Sequence, residues 1–529
     1  MASARWLAAY AVVTFLAFPH PVGGGILDLG LGLAWLSPAL LLLGVAGQPP
    51  RQAAWRGFLA GGLAHSAVLH WIWVVTVTYG HVNPLLGVLG PLGLGAWLGL
   101  FTGGFAALAA WLTRTAAAAG GRWVWLASPF ALAAVWTTLD HLRSFLFSGF
   151  PWATLGYAQH QNDPLLAWAP LAGVYGLSFL TVAGGASLAR IAMARRVDAL
   201  AGWGLALVVA AHGGGLLLRA LEPADPTDTV RVAVVQGNIA QGVKWTPEWY
   251  ERTLGIYQEL TREAVARGAE VVVWPETAVP GWLGTDGSNG EWLQALAADT
   301  GVQLVVGAVG LEQSEDTGFT KFFDSAFFVD PGGRITDRYD KAHLVPFGEY
   351  LPFQELLGRF FKAIARGIAS ASVTPGAAPR AVEIRTGDGS LPVGVPICYE
   401  LLFPDLVRGF VDDGGEMLFA ITNDAWYGRT GAPFQFLAIT AMRSAENRVW
   451  TARAANTGVS AIIDARGRVR ERTAIFERGL LVADVPRRPA PVGGSFYARH
   501  GDVFAAACWV VTLAAIGWAW ARQRRGADG

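Results

Sequence analysis

Hydrophobic and polar positions divide the chain into a membrane-type region and a soluble-type region. Residues 1–221 are almost continuously hydrophobic, interrupted by short pieces that contain Pro, Gly or Arg, and one more apolar run lies near the C-terminus. Eight apolar runs approach the roughly 20 residues that a bilayer-spanning helix needs. They lie at about 6–19, 26–46, 57–78, 85–112, 123–139, 165–189, 199–218 and 503–521. The pattern predicts a polytopic α-helical membrane bundle of about eight transmembrane helices.

The segment 222–500 has the alternation that is typical of a soluble α/β domain. Short apolar runs that end in polar residues predict strands at 231–238, 270–276, 302–311, 325–339, 392–398 and 416–424. Helical spacing of apolar positions predicts helices at 249–267 and 434–449. The segments FFVDPGGRITD and AIIDARGRVRE each turn at a Gly-containing loop and predict antiparallel hairpins. We expect three domains: a bundle of about seven helices over 1–221, an α/β domain over 222–500, and a C-terminal membrane helix with a basic tail over 501–529.

Composition and charge agree with a membrane protein and give it an orientation. Only 15% of the residues are charged, Trp occurs 23 times, and the formal net charge is zero. No basic tract of nucleic-acid-binding type is present, so nucleic acid is not an expected partner. Arginines cluster in the loops on one side of the bundle and at both termini: Arg5, Arg51, Arg56, Arg114, Arg122, Arg190, Arg195, Arg196, Arg522, Arg524 and Arg525. Positively charged short loops stay in the cytoplasm, so both termini are predicted to be cytoplasmic and segment 222–500 periplasmic or extracellular.

The opposite short loops offer one arginine, Arg143, which follows Asp140 and His141 beside the fifth apolar run. A charge at that position either binds a phosphate headgroup or is simply solvated, and the sequence favours neither.

The chain has two cysteines, and their positions predict that Cys398 is a free thiol. Cys508 falls inside the last apolar run, so the two residues are not expected to meet in a disulfide. Cys398 follows the apolar run 391–397, which has the length and Val/Ile content of a buried strand. The residue is therefore either an inert buried cysteine or a nucleophile at the exit of a strand.

Two further strand ends carry reactive side chains. Glu276 ends VVVWPE, and Lys341 follows the predicted strand in RYDKAHLVPFGEY. A carboxylate beside a thiol in a dry pocket takes its proton, and a fixed ammonium stabilises the oxyanion that forms when the thiol attacks a carbonyl. Taken singly, such a Glu often caps a helix and such a Lys is often solvated. The nine histidines form no ligand cluster, so neither a metal nor a cofactor is expected.

Four motifs, WPETAVP, YDKAHLVPFGEYLP, ICYELLFPD and NDAWYG, resemble the carbon-nitrogen hydrolase (nitrilase) superfamily. Its Glu-Lys-Cys triad matches Glu276, Lys341 and Cys398 in the right order. Together with eight apolar runs and the segments FSGFPWATLGYAQ, GVYGLSFLT and VQGNIAQGVKW, the whole chain resembles the apolipoprotein N-acyltransferase family. Two segments depart from the family pattern: FFDSA (322–326) stands where a Tyr-Asn pair is more common, and Tyr427 stands where Phe is common.

The resemblance implies a nitrilase-like αββα sandwich on the periplasmic face of the bundle, in a bacterial cytoplasmic (inner) membrane. It also implies supporting roles for four residues beside the triad, namely Trp245, Glu349, Tyr399 and Glu400. The implied reaction is a ping-pong acyl transfer through a Cys398 thioester. The donor would be a phospholipid, by resemblance phosphatidylethanolamine, and the acceptor the α-amine of the N-terminal diacylglyceryl-cysteine of an apolipoprotein.

Segments 281–284 and 356–370 are apolar or amphipathic and are either lids that dip into the bilayer or elements packed on their own domain. Two rival functions remain on the sequence alone. A membrane-anchored nitrilase-type amidase would use the same triad and transfer the acyl group to water. A nonenzymatic scaffold with a dead nitrilase fold is disfavoured because Glu276, Lys341 and Cys398 are all present.

Overall fold

A computed structural model of the protein describes residues 2–283, 288–313, 320–350, 373–387, 389–487 and 494–527. The first 221 residues form a helical bundle, with a small hairpin of strands β1 (His20–Val22) and β2 (Gly25–Leu27) after the first helix. The α-helices of this part are Ala2–Leu16, Gly30–Val45, Pro50–Val68, Ile72–Val74, Pro84–Gly87, Leu89–Ala119, Pro129–Leu142, Asp163–Leu166, Ala169–Ala194 and Ala199–Leu221. The helix Val503–Ala527 joins them from the other end of the chain and packs against Pro129–Leu142.

Four helices in the described residues are long and apolar enough to cross a membrane: Pro84–Ala119, Ala169–Ala194, Ala199–Leu221 and Val503–Arg524. A fifth candidate is the pair Pro50–Val68 and Ile72–Tyr79, which is bent by 65°. The first two predicted spans form helices of 15 and 16 residues. Several apolar helices are therefore present, and the number of eight spans, like the orientation, stays a prediction.

The fifth predicted span differs most from expectation. Its first part, Gly121–Ala127, is a 3-10 helix, and the α-helix begins only at Pro129 and has 14 residues. Ser128 caps that helix, because its side chain accepts a hydrogen bond from the backbone N–H of Ala131. Pro129 is tolerated in the first turn, since the backbone N–H that proline lacks would have no partner within the helix.

Arg143 fits neither role that the sequence left open, because it is 3% exposed. Its Nε donates to Asp140 Oδ1 at 3.0 Å, and Nη1 donates to the carbonyl oxygen of Trp152 at 2.7 Å. Nη2 donates to Thr154 Oγ1 at 3.1 Å. The guanidinium therefore holds the loop that follows its helix, a use of charge that a count of loop arginines does not distinguish from solvation.

The segment after residue 221 forms an α/β domain with two sheets. Its strands are β3 (Thr229–Gln236), β4 (Val271–Val273), β5 (Trp282–Leu283), β6 (Gln303–Gln313), β7 (Thr320–Val329), β8 (Ile335–Asp340), β9 (Val382–Thr386), β10 (Gly389–Gly394), β11 (Met417–Thr422), β12 (Trp450–Ala455), β13 (Ala461–Ile463), β14 (Val469–Arg472) and β15 (Gly479–Pro486). One sheet has the order β14-β13-β12-β11-β10-β9, and the other has the order β15-β3-β4-β6-β7-β8 with β5 beside β6. The α-helices of this part are Pro247–Ala266, Ser288–Thr300, Pro404–Asp412, Ala432–Asn447 and Phe496–His500.

Alternation along β3 shows how the layers stack. Val232 and Val234 point into the core between the two sheets, whereas Ala233 and Val235 face the helix Pro247–Ala266 on the outside. The helix Ala432–Asn447 packs on β12 of the other sheet, so the order is helix, sheet, sheet, helix. This four-layer arrangement is the predicted sandwich, and both predicted helices and both predicted hairpins are confirmed.

The helix Ala432–Asn447 also joins the domain to the bundle. The helix Ala169–Ala194 is interrupted at Gly173, and the backbone N–H of Val174 that this frees donates to Glu446 Oε1 at 2.8 Å. Trp152 Nε1 donates to Gln435 Oε1 at 2.8 Å on the same helix. The α/β domain is therefore held to the bundle by buried hydrogen bonds, in which donors of the bundle meet acceptors of the helix Ala432–Asn447.

Candidate active site

Three segments that follow strands bring the three predicted residues together. Glu276 lies three residues after β4, Lys341 follows β8 directly, and Cys398 lies four residues after β10. All three are buried. The ends of strands are where an α/β domain gathers reactive groups, so the predicted constellation forms in space as well as in sequence.

Lys341 is at the centre of a group of three carboxyl groups. Its Nζ lies 3.1 Å from Glu276 Oε1, 3.1 Å from Asp324 Oδ2 and 2.6 Å from Glu349 Oε1. An ammonium has three N–H bonds, so each finds one acceptor. Burial on its own lowers the pKa of Lys341, but the negative charges around it outweigh burial and raise that pKa well above its ordinary value.

The same three carboxyl groups lie close enough together to suggest a metal site, with one oxygen from each within 4.8 Å of the others. Their oxygens already converge on the Lys341 ammonium, however. The cation that this arrangement fits is therefore the lysine of the chain itself.

Glu276 has donors on both of its oxygens. Besides the contact of Oε1 with Lys341, Oε2 accepts a hydrogen bond from the backbone N–H of Asn423 at 2.7 Å. Burial opposes ionisation, but the Lys341 charge and the hydrogen bonds to the carboxylate, one of them from the Cys398 thiol, outweigh it and lower the pKa of Glu276. Glu276 is thus an anion in the same buried cluster as the thiol whose proton it would take.

A close approach of two backbones positions Glu276. A Cβ on Gly307 in β6 would lie 2.2 Å from the carbonyl oxygen of Pro275 and 2.6 Å from Cα of Glu276. The carbonyl oxygen of Gly307 also accepts the N–H of Ala278 at 2.7 Å. A side chain at position 307 would push the Glu276 loop off the sheet.

Cys398 begins a short 3-10 helix, Cys398–Leu402, and has a φ of 47°. The left-handed region is costly for a residue with a Cβ, and such strain is concentrated at functional sites. Burial first and the Glu276 anion second raise the pKa of the Cys398 thiol well above its ordinary value, whereas Lys341 and a hydrogen bond with Thr422 oppose the rise. The resting thiol is therefore protonated and needs a base at the moment of attack.

The predicted strand around this cysteine is shorter than expected. β10 ends at Gly394, before Pro396, and only an isolated bridge between Ile397 and Ile421 continues the pairing. Proline cannot donate to the ladder, so the chain leaves the sheet there and turns into the 3-10 helix.

Glu400 connects the Cys398 turn to the Lys341 turn. Its Oε2 accepts the N–H of Ile397 at 2.8 Å, and Oε1 accepts the hydroxyl of Tyr339 at 2.8 Å and the N–H of Ala342 at 2.7 Å. Because the donors come from the residue before Cys398 and from both sides of Lys341, the carboxylate fixes the distance between the two turns. Glu349 makes a similar connection. Its Oε1 accepts from Lys341 Nζ, and its Oε2 accepts the N–H of Val345 at 2.9 Å.

Tyr399 and Trp245 lie further from the chemistry. The Tyr399 hydroxyl donates to the carbonyl oxygen of Gly149, a residue of the bundle, at 3.2 Å. Trp245 is 49% exposed and lies beside Lys244, whose Nζ is 6.0 Å from its ring centroid. The structure therefore joins Glu349 to Lys341 by a direct hydrogen bond and Glu400 to residues next to Lys341 and Cys398 in the chain, and it places Tyr399 and Trp245 at the margin of the site.

Sequence reasoning missed three residues of this site. Asp324 in β7 contacts Lys341, Asn423 donates to Glu276, and the buried Lys244 donates from Nζ to Thr277 Oγ1 at 2.7 Å, next to Glu276 in the chain. Burial lowers the pKa of Lys244 to about 8, against the opposite effect of Glu276 and Asp324. Lys244 and Asn423 lie in segments quoted for the resemblance, whereas Asp324 lies in FFDSA, a departure from the family pattern; these positions were the available signal.

The two segments that the sequence leaves open as lids or packed elements, 281–284 and 356–370, lie mostly outside the described residues. Trp282 is exposed and pairs in β5 with β6, but residue 284 and the whole segment 356–370 lie outside the described residues.

Comparison with family models divides the chain where its hydropathy does. Residues 231–489 match the model described as carbon-nitrogen hydrolase. Residues 10–187 match the model described as apolipoprotein N-acyltransferase N-terminal domain. The two matches cover the α/β domain and most of the bundle.

Similar proteins extend over nearly the full length. A protein of Geobacter metallireducens named apolipoprotein N-acyltransferase is 38% identical over 508 residues, which is 94% of this chain and 91% of the relative. Relatives of the same name from Azotobacter vinelandii and Vibrio cholerae are each 34% identical and cover 93% of this chain. Among solved structures, an amidase from Nesterenkonia sp. is 19% identical, with 55% of this chain and 98% of that one covered and a TM-score of 0.38.

Proposed function

The chain belongs to the apolipoprotein N-acyltransferase family, and from that premise we propose that it moves an acyl chain from a phospholipid to a lipoprotein. The enzyme class is that of an acyltransferase. The proposed acceptor is the α-amine of an N-terminal diacylglyceryl-cysteine, and the proposed donor is phosphatidylethanolamine through its sn-1 ester. One observation carries the proposal: three segments that follow strands bring the buried Cys398 thiol to a Glu276 carboxylate whose Oε1 lies 3.1 Å from Lys341 Nζ, and each of the two acidic groups shifts the pKa of the other.

In the first half-reaction, Glu276 takes the proton of the Cys398 thiol while Sγ attacks the ester carbonyl carbon of the phospholipid. The carbonyl oxygen becomes an oxyanion, which Lys341 and the backbone N–H of Tyr399 stabilise. The intermediate collapses when the ester C–O bond breaks, and Glu276 returns the proton to the leaving oxygen. Lysophospholipid departs, and the acyl group stays on Cys398 as a thioester.

In the second half-reaction, the α-amine of the lipoprotein attacks the thioester carbonyl. Glu276 accepts a proton from the attacking nitrogen, the C–S bond breaks, and the proton passes to the departing sulfur. An amide forms, and the Cys398 thiol and the Glu276 carboxylate are restored. No cofactor is consumed in either step.

Contacts between the site and the bundle support a donor and an acceptor that both carry acyl chains. Tyr399, next to the nucleophile, contacts Gly149, and Tyr427 packs edge-on against Trp71 with ring centroids 4.8 Å apart. Lipid substrates need a site near the headgroup plane, and aromatic side chains favour that interface. The arginine distribution supports a protein of the cytoplasmic membrane whose α/β domain faces the periplasm. Added protease should then cleave that domain in intact spheroplasts, and cleavage only after lysis would contradict this orientation.

The reaction is tested by incubating the purified full-length protein with phosphatidylethanolamine and a synthetic diacylated lipopeptide. The proposal expects one lysophospholipid for each N-acylated lipopeptide, and neither product from Cys398→Ser. If lysophospholipid forms together with free fatty acid while the lipopeptide stays unmodified, the enzyme is a hydrolase, the main alternative. If no lysophospholipid forms, a phospholipid is not the donor.

A further inference from the structure

Asp324 adds to the active site a carboxyl group that the two-step mechanism does not use. It lies in β7, is 7% exposed, and its Oδ2 is 3.1 Å from Lys341 Nζ, the same distance as Glu276 Oε1. The backbone places it there, because the N–H of Lys341 donates to the carbonyl oxygen of Asp324 at 2.8 Å. Two carboxyl groups therefore share one ammonium in a dry site.

The hydrogen-bond donors around the two carboxyl groups are distributed unequally. Both oxygens of Glu276 receive N–H donors, from Lys341 and from the backbone of Asn423. Oδ1 of Asp324 is buried and receives no N–H or O–H donor among the described residues, while the Asp324 and Glu276 carboxyl groups, with oxygens within 4.8 Å, are coupled to each other by a hydrogen bond. A buried carboxylate oxygen without a donor is costly, whereas a protonated carboxyl group supplies its own donor.

The charges of the cluster lead to the same assignment. Besides the Cys398 thiol, which is neutral at rest, five titratable groups face one another: the carboxyl groups of Glu276, Asp324 and Glu349, and the ammonium groups of Lys341 and Lys244. With all five ionised, three anions stand against two cations. One proton bound to one of the carboxyl groups makes the cluster neutral, which burial favours.

We propose, on the basis of the acyl-transfer function above, that Asp324 is a positioning residue that keeps a proton and donates it as a hydrogen bond to Glu276. Glu276 is then the carboxylate of the pair and takes the thiol proton. The proton on Asp324 is not consumed: the proton that leaves Cys398 goes to Glu276 and from there to the leaving group. Asp324 thereby holds Glu276 and Lys341 in place without a third negative charge at the site.

Electrostatics of the site agree with this geometry. Burial and the Glu276 anion raise the pKa of Asp324 well above its ordinary value, and Lys341 only partly offsets them. At alkaline pH, loss of the Asp324 proton adds an anion beside Lys341 and the thiol. That anion opposes thiolate formation at Cys398. The proposal therefore predicts that the Cys398 thiol reacts more slowly once Asp324 has lost its proton, and that this decrease disappears when Asp324 is replaced.

The test is the pH profile of iodoacetamide alkylation at Cys398, measured on the full-length protein by peptide mass spectrometry, for the wild type and for Asp324→Asn. Asn resembles the protonated carboxyl group but cannot ionise. The rate of the variant divided by that of the wild type is expected to rise by about tenfold or more from neutral to alkaline pH, because a shift of one pKa unit is a tenfold change in thiolate. The pKa of Lys244 responds to Asp324, so the same ratio is also measured between Lys244→Met and the Lys244→Met/Asp324→Asn double variant, where the same rise is expected.

A ratio that stays constant with pH overturns the inference, since Asp324 is then either an anion throughout or outside the proton balance of the site. If Asp324→Asn does not fold, Asp324→Ser replaces it, with a lower rate overall and the same rising ratio expected. Iodoacetamide needs neither acyl donor nor acceptor, so failure of the lipid reaction leaves this result standing. A Cys398 that is unreactive at every pH overturns both proposals.

Discussion

Cys398 and Cys508 are both buried thiols, at 6% and 4% exposure, in two very different surroundings. Cys508 lies within the regular helix Val503–Ala527, which packs against another apolar helix, Pro129–Leu142. Cys398 lies in a strained turn beside a carboxylate and an ammonium. Burial alone yields an inert cysteine. In the proposed mechanism, this difference is what makes Cys398 the nucleophile, because a thiol needs a fixed base and a fixed cation to attack a carbonyl; the predictions below remove these features in turn.

The largest expected effect comes from exchanging the thiols themselves. Cys398→Ser should lower acyl transfer by at least about a thousandfold, because a hydroxyl is a far weaker nucleophile with the same base. Cys508→Ser should leave transfer and membrane insertion close to those of the wild type. Product formation with each variant measures this. A comparable loss in Cys508→Ser would contradict the division between the two sites.

Removal of the cation should have the next largest effect. Lys341→Met leaves three carboxyl groups facing one another, so it should slow acylation of Cys398 by about 10²- to 10³-fold and destabilise the domain by roughly 3–5 kcal/mol. Lys321→Met, on the exposed end of the same β7 strand that carries Asp324, is the matched control and should have neither effect. The rate of acyl-enzyme formation and thermal unfolding measure both consequences. Equal losses in the two variants would show a general effect of charge.

Glu400→Gln should have an intermediate effect. The amide NH₂ replaces an oxygen that accepts a hydrogen bond, so one of the two turns must move, and a shift of about 1 Å costs roughly 10- to 100-fold in rate. Glu383→Gln, an exposed change in β9, is the control. The rate of Cys398 acylation and the melting temperature are measured for both variants. A lower melting temperature with an unchanged rate in Glu400→Gln would show that Glu400 supports the fold but does not set the distance between Cys398 and Lys341.

The smallest effect is expected from a methyl group placed behind Glu276. Gly307→Ala should displace the loop and cost on the order of 1–3 kcal/mol of stability and about tenfold in acylation rate. Gly255→Ala lies in the helix Pro247–Ala266 with open space around its Cβ, and should stabilise the protein by about 0.5–1 kcal/mol. Thermal unfolding of the two variants should therefore shift in opposite directions, and shifts of the same sign would contradict the close approach.

The sequence predicted the parts of the fold that periodicity encodes. Strand β3 and the helices Pro247–Ala266 and Ala432–Asn447 lie within a few residues of their predicted positions, because alternation and helical spacing follow directly from which face is buried. The triad came from motif resemblance, and strand-end placement was consistent with it. The structure brings Glu276, Lys341 and Cys398 together, and their catalytic roles stay a prediction.

Other features depend on contacts that no local pattern records. The need for Gly307 arises from a loop more than thirty residues away in the chain, and the role of Asp324 arises from its position opposite Lys341 in a neighbouring strand. The sequence predicts a solvated or ligand-binding Arg143 because charge usually indicates exposure. In the structure, the side chain is buried because backbone carbonyl oxygens and Asp140 accept its hydrogen bonds. Apolar runs likewise located the bundle, but the 3-10 helix at Gly121–Ala127 and the 65° bend depend on packing.

The most direct test of the central claim is to map the acyl group on the wild-type enzyme after incubation with phosphatidylethanolamine and no acceptor. Proteolysis and mass spectrometry should find one acyl chain on the peptide that contains Cys398, removable by hydroxylamine as a thioester is, and none on the peptide that contains Cys508. Acylation at Cys508, or an acyl chain that resists hydroxylamine, would contradict the account.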